Sequence, residues 1–153
     1  MFTLTDYARA PEVDNQIIQT ILDGYKGKIY FFPQGSFDLE YIASLQSYQK
    51  SQARITIISR TFEDYVATLA ENNVDYIGTR LHAGIKALQL KKNALILSVD
   101  NRAIEISKDT GLPVVPRDAV EKIALWIDGQ KMFNKIKMPV MEIARWKKQF
   151  PAC

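Results

Sequence analysis

One cysteine, one histidine and no long apolar run occur in these 153 residues, and each scarcity excludes something. Cys153 has no partner for an internal disulfide and no second thiol for a metal site, which points to a reducing compartment. No apolar stretch approaches the ~18 residues of a membrane span. The N-terminal Met1-Phe2-Thr3-Leu4-Thr5-Asp6 lacks the basic and apolar regions of a secretory leader. The expectation is a cytoplasmic protein, with the inner membrane face as the one peripheral location to consider. A single imidazole among scattered acids supplies no metal-ligand set. Neither a Walker loop nor a G-x-G-x-x-G follows any strand-like run, which disfavours the common nucleotide sites. Basic and aromatic residues do not interleave along a nucleic-acid-binding motif.

What is present suits a globular domain. An apolar content of 47% at this length is enough to bury roughly two-thirds of the unfolded surface without staples. The net charge of +3 is unevenly spread. Residues 131–153 carry Lys131, Lys135, Lys137, Arg145, Lys147 and Lys148 against Glu142 alone, leaving the preceding residues slightly acidic. The expected organisation is an α/β body over residues 1–130 and a basic helical tail over 131–153. That tail is expected to pack on the body or on a missing N-terminal lobe, with a solvated face, or one that meets a partner protein or an acidic membrane, as the other readings of its charge. Within it Pro139 suits a first helical turn, and Val140, Ile143 and Ala144 form an apolar stripe.

Apolar runs bounded by turn residues recur at 2–5, 29–32, 55–58, 75–77, 95–99 and 114–115. Being continuous rather than alternating, they predict strands of a parallel sheet covered on both faces. Between them lie helical stripes: Ile17, Ile18, Ile21, Leu22 and Tyr25; Phe62, Tyr65, Val66 and Leu69, opened by a capping arrangement at Thr61-Phe62-Glu63-Asp64; Leu81, Ile85 and Leu88; and Val120, Ile123, Ala124 and Ile127. Strand and helix alternating throughout predict a doubly wound, mostly parallel α/β domain with right-handed crossovers.

In such a fold ligands bind beyond the carboxyl ends of the strands, where strand order reverses. The residues that follow the runs are therefore informative: Asp6, Tyr7 and Arg9; Gln34, Gly35, Ser36 and Asp38; Ser59 and Arg60; Gly78, Thr79, Arg80 and His82; Asp100, Asn101 and Arg102. Four arginines and the only histidine at one edge favour a small anionic ligand. A helix beginning near Arg80 would turn His82 away from the stripe of Leu81, Ile85 and Leu88 that faces the sheet. Gly78 and Gly84 suit close backbone approach and close helix packing, or simple punctuation. Arg80 either forks onto an anion or pairs with Asp75 or Asp100.

The run Asp75-Tyr76-Ile77-Gly78-Thr79-Arg80-Leu81-His82-Ala83-Gly84-Ile85-Lys86-Ala87-Leu88-Gln89 resembles the polysaccharide pyruvyl transferase family. So do Ser98-Val99-Asp100-Asn101-Arg102-Ala103 and Lys108-Asp109 further on, and Leu4-Thr5-Asp6-Tyr7 and Gln34-Gly35-Ser36-Phe37-Asp38 before it. The resemblance covers about residues 2–115, to that family's C-terminal half. It implies one Rossmann-like lobe of a GT-B-type protein that moves a pyruvyl group from phosphoenolpyruvate onto a cell-surface glycan sugar as a ketal. It implies no cofactor beyond that donor.

On this resemblance Arg80 and His82 match the family's Arg-Leu-His donor motif. Arg80 would clamp the donor with help from the backbone at Gly78 and Thr79, and His82 would either protonate the donor or stabilise departing phosphate. Asp100, Asn101 and Arg102 would orient His82 or contact a sugar, and Gln34, Gly35 and Ser36 would complete the edge. The family's N-terminal half has no counterpart here, so the chain is expected to be inactive until a second lobe, from a longer chain or a separate subunit, completes the cleft and brings the glycan acceptor. Two other outcomes remain open from sequence: a sugar-nucleotide-binding glycosyltransferase or epimerase lobe, and a non-catalytic interaction module.

Overall fold

The computed structural model describes residues 1–71, 73–129, 136 and 140–150. Lys131, Lys135, Lys137, Pro139 and Cys153 lie outside them, and with them most of the expected tail. Six strands form among the described residues: β1 (Phe2–Thr3), β2 (Ile29–Phe31), β3 (Ile55–Ile57), β4 (Tyr76–Gly78), β5 (Ala94–Ser98) and β6 (Val114–Pro116). All neighbours pair in parallel, in the order β3-β2-β1-β4-β5-β6. The chain winds outward one way from β1 and then returns to β4 beside it, so strand order reverses between β1 and β4. The doubly wound fold predicted from the apolar runs is present.

The helices are α1 (Pro11–Gly24), α2 (Asp38–Ser44), α3 (Gln46–Gln49), α4 (Phe62–Glu71), α5 (Leu81–Gln89), α6 (Asn101–Thr110), α7 (Val120–Ile127) and α8 (Val140–Lys147). On one face of the sheet Phe2, Phe31, Ile77, Leu95 and Leu97 pack against Ile17, Ile18 and Leu22 of α1, Tyr41 and Ile42 of α2 and Ile123 of α7. On the other face Tyr30 and Tyr76 meet Tyr65 and Leu69 of α4 and Ala83 and Ala87 of α5. Ile96 meets Ala103 of α6. Alternate strand residues point to opposite faces, and both faces are apolar, which explains why the strands read as unbroken runs.

Local signals explain the helix ends. Pro11 occupies the first turn of α1, where its missing N–H costs nothing. At α4 the predicted capping arrangement is realised: the Asp64 amide donates to Thr61 Oγ1 at 3.2 Å and the Thr61 hydroxyl to Asp64 Oδ2 at 2.8 Å. Three expectations need correction. Tyr25 lies past the end of α1 and is half exposed rather than part of its core stripe. The residues of α5 that face the sheet are the small Ala83, Gly84 and Ala87, while Leu81, Ile85 and Leu88 are half-buried beside α6. To the four helical stripes must be added α6, which begins at Asn101 directly after β5.

Two glycines let the central layers close. A Cβ at Gly84 would lie 2.5 Å from Ile96 Cγ1, so only glycine lets α5 lie this close to β5. A Cβ at Gly78 would lie 2.2 Å from Thr3 Oγ1 and 2.6 Å from the Thr3 carbonyl oxygen. The close approach that Gly78 permits is therefore that of β1.

Candidate functional site

The turn between β4 and α5 sits at the point of strand reversal and is pinned from below. The Thr79 amide donates to the Thr3 carbonyl at 3.1 Å. The Tyr76 hydroxyl donates to the Arg80 carbonyl at 2.9 Å. Its one proton being used there, Tyr76 accepts from the Thr3 hydroxyl across 2.7 Å. Burial pushes the Tyr76 phenol well above its ordinary range, so it stays a neutral strut.

Beyond this turn opens a cleft of about 210 Å³, lined by Tyr7, Gln34, Thr79, Arg80, Leu81, His82, Asp100 and Arg102 among others. It brings together the loops after β1, β2, β4 and β5; Ser59 and Arg60 after β3, also on the edge singled out from sequence, do not line it. His82 is exposed, as the helical geometry predicted, and its imidazole makes no hydrogen bond or ion pair among the described residues. Asn101 and Ser36 are exposed but do not line the cleft.

Arg80 is not a free cation. Its NH2 group donates to Asp38 Oδ1 at 2.6 Å and to Asp6 Oδ1 at 3.1 Å, so its partners are these two carboxylates and not Asp75 or Asp100. Asp38 is fully buried on its side chain and also accepts from the amides of Gln34 at 2.9 Å, Gly35 at 2.6 Å and Asp6 at 3.0 Å. The amides of Gln34 and Gly35 are thereby committed within the protein. A Cβ at Gly35 would lie 2.2 Å from Arg80 NH2, so glycine makes room for the guanidinium. Desolvation works to raise the Asp6 carboxyl, but the Phe37 amide and Arg80 together hold it below the usual carboxylate range.

Two helices present their N-termini to the cleft, in different states. At α6 the Asp100 carboxylate accepts from the Arg102 amide at 2.9 Å and from its guanidinium at 2.7 and 3.1 Å. The bond from the Arg102 side chain holds the Asp100 carboxyl below its ordinary range. Asp100 therefore caps α6 and fixes Arg102; it does not orient His82. At α5 no side chain caps the first turn, and Gly84 is the first of its amides to find a carbonyl. Beside it the Thr79 hydroxyl, almost wholly buried, has no hydrogen-bond partner among the described residues. Unsatisfied donors at a positive helix end make an anion site.

Sequence alone placed Asp6, Tyr7 and Asp38 at this edge but missed how they pair with Arg80 and the buried cluster behind them. Tyr7, 59% exposed, lines the cleft with the Arg80 guanidinium 5.3 Å above its ring. Its loop is tied back by a buried cluster: Arg117 donates to Asp14 and to the Ala8 carbonyl, Tyr41 donates to Asp14, and the Ala10 amide donates to Tyr41 at 2.9 Å. Burial, with the Asp14 carboxylate alongside, pushes the Tyr41 phenol up to about 12. Among the described residues no group of histidine, cysteine and acidic side chains is placed to hold a metal ion. Comparisons with protein-family models, with characterised proteins and with solved structures return no match.

Proposed function

We propose that this lobe binds phosphoenolpyruvate as the donor half of a pyruvyl transferase-like protein. The observation that carries the proposal is the convergence, on one cleft at the strand reversal, of the uncapped start of α5, the unpartnered Thr79 hydroxyl and the exposed His82. Phosphate oxygens would accept from the first-turn amides of α5 and from Thr79. Arg102, exposed on the same cleft, would meet a second anionic group only in competition with Asp100, which its guanidinium already bonds. Arg80 then acts by building the wall against Tyr7, Asp6 and Asp38 rather than by gripping the ligand.

The chemistry asks for three events: a proton reaches the methylene carbon, two acceptor hydroxyls form C–O bonds to the neighbouring carbon and give up their protons, and that carbon's bond to the phosphate oxygen breaks, so that one of the two protons balances the methylene and the other leaves with phosphate. An imidazole, with an ordinary pKa near 6.5, can deliver that proton or donate to the leaving phosphate. His82 is free to do either because its imidazole bonds to no other described residue. The glycan acceptor and the opposite wall of the cleft would come from a second lobe.

Thermal denaturation with phosphoenolpyruvate, UDP, a UDP-sugar and inorganic phosphate tests this. A ligand at a hundred times its Kd stabilises by about 2.7 kcal/mol. Phosphoenolpyruvate should raise Tm, and His82→Ala and Thr79→Val should each diminish the rise. Stabilisation by UDP compounds alone would select a sugar-nucleotide lobe, and indifference to every anion would leave an interaction module.

A further inference from the structure

Helix α8 contributes no buried residue to the protein. Val140, Met141 and Trp146 are exposed, as is Phe150 one turn on, and the backbone continues as turns to that point through bonds from Lys148 to Ala144 and from Phe150 to Lys147. At 3.6 residues per turn, Val140, Ile143 and Ala144 share a face that Trp146 and Phe150 extend. The Trp146 and Phe150 rings meet edge to face with centroids 4.8 Å apart, forming one aromatic unit in solvent. Arg145, Lys148 and Gln149 lie on the other side. Lys147 interrupts the apolar face, with a stem long enough to carry its ammonium to the margin.

The charge says what would cover this face. Residues 140–150 hold three cations and one anion, and Lys131, Lys135 and Lys137 precede them, whereas residues 1–130 are net acidic. A cationic helix with tryptophan and phenylalanine on one side matches an anionic bilayer surface: the rings enter the headgroup boundary and the basic residues are attracted to the anionic headgroups. We propose that residues 140–150 are an interfacial anchor that lays Ile143, Trp146 and Phe150 into an anionic membrane. This goes beyond the donor-binding proposal and stands or falls separately from it.

The test is co-sedimentation of the full chain with vesicles of phosphatidylcholine alone or mixed equally with phosphatidylglycerol. The expected result is pelleting with the mixed vesicles only. Binding should fall at least tenfold in Trp146→Ser/Phe150→Ser and in Lys147→Glu/Lys148→Glu. Because these side chains are exposed, Tm should stay unchanged in both, which separates lost binding from lost fold. Equal pelleting on neutral vesicles, or wild-type binding by the Trp146→Ser/Phe150→Ser variant, overturns the proposal. So does a dimer in light scattering that Trp146→Ser dissociates and that ignores vesicles, which would assign the face to a second copy.

Discussion

Replacing Arg80 by methionine separates a structural strut from a ligand clamp. The substitution keeps the apolar stem and removes the NH2 group that bridges Asp38 at 2.6 Å and Asp6 at 3.1 Å. Breaking a buried pair by deleting one partner costs about 3–5 kcal/mol, because a desolvated charge is left uncompensated. Asp38 keeps three backbone amides, and Asp6 is only mostly buried, so the low end, about 3 kcal/mol, applies. For a domain of this size that is about 6–12 °C in Tm. Circular dichroism melts at pH 7 should show it, and adding Asp38→Asn to Arg80→Met should recover part of the loss by removing the stranded charge. A Tm within about 1 °C of wild type would refute the strut and return Arg80 to the ligand.

Three further outcomes follow from the same geometry. Gly78→Ala places a Cβ 2.6–2.7 Å from the Thr3 backbone as well as 2.2 Å from its hydroxyl oxygen; a loss of about 3 kcal/mol is expected in chemical denaturation, and Thr3→Ser should not rescue it. Arg117→Met leaves the fully buried Asp14 with Tyr41 as its remaining side-chain partner and should cost about 3–5 kcal/mol, whereas Asp14→Leu with Arg117→Met should regain much of it; equal losses would argue against a buried-charge penalty. The folded Asp6 carboxyl is depressed, so its stabilisation is full above the unfolded value of ~3.9, shrinks below it and vanishes once pH passes the folded value. The Tm difference between wild type and Asp6→Asn should therefore narrow below about pH 4, and a constant difference would contradict this.

The sheet was legible in sequence because its central strands, buried on both faces, leave short continuous apolar runs, and turn residues bound each of them. Helix α6 was not, since Ala103 is its one buried residue and the rest reads as a polar loop. Its punctuation did carry the information: Asp100 caps its start, and Gly111 closes its end with φ +70°. The short α2 and α3, seven and four residues, give no periodicity to read. In the site, His82 could be placed because its exposure depends only on helix phase. The partners of Arg80 could not, because Asp6 and Asp38 lie 74 and 42 residues away in sequence and meet it only through the adjacency of β1 with β2 and β4.

That pairing changes how an anion would be held. Arg80 and Arg102 face Asp6, Asp38 and Asp100 at contact distance, so these five side chains give the cleft no surplus of positive charge. Capture then falls to oriented dipoles: the first amides of α5 and the Thr79 hydroxyl, which act at hydrogen-bond range. Attraction between separated charges is screened over roughly 10 Å at 0.1 M salt, but contacts at hydrogen-bond range are screened much less. Phosphate binding measured by calorimetry should accordingly weaken little between low and high salt, and Thr79→Val should reduce it more than Arg80→Met does in whatever fraction remains folded. A steep loss with salt would mean that an unpaired guanidinium does the holding, and that the ion pairs at the strand reversal open when the ligand arrives.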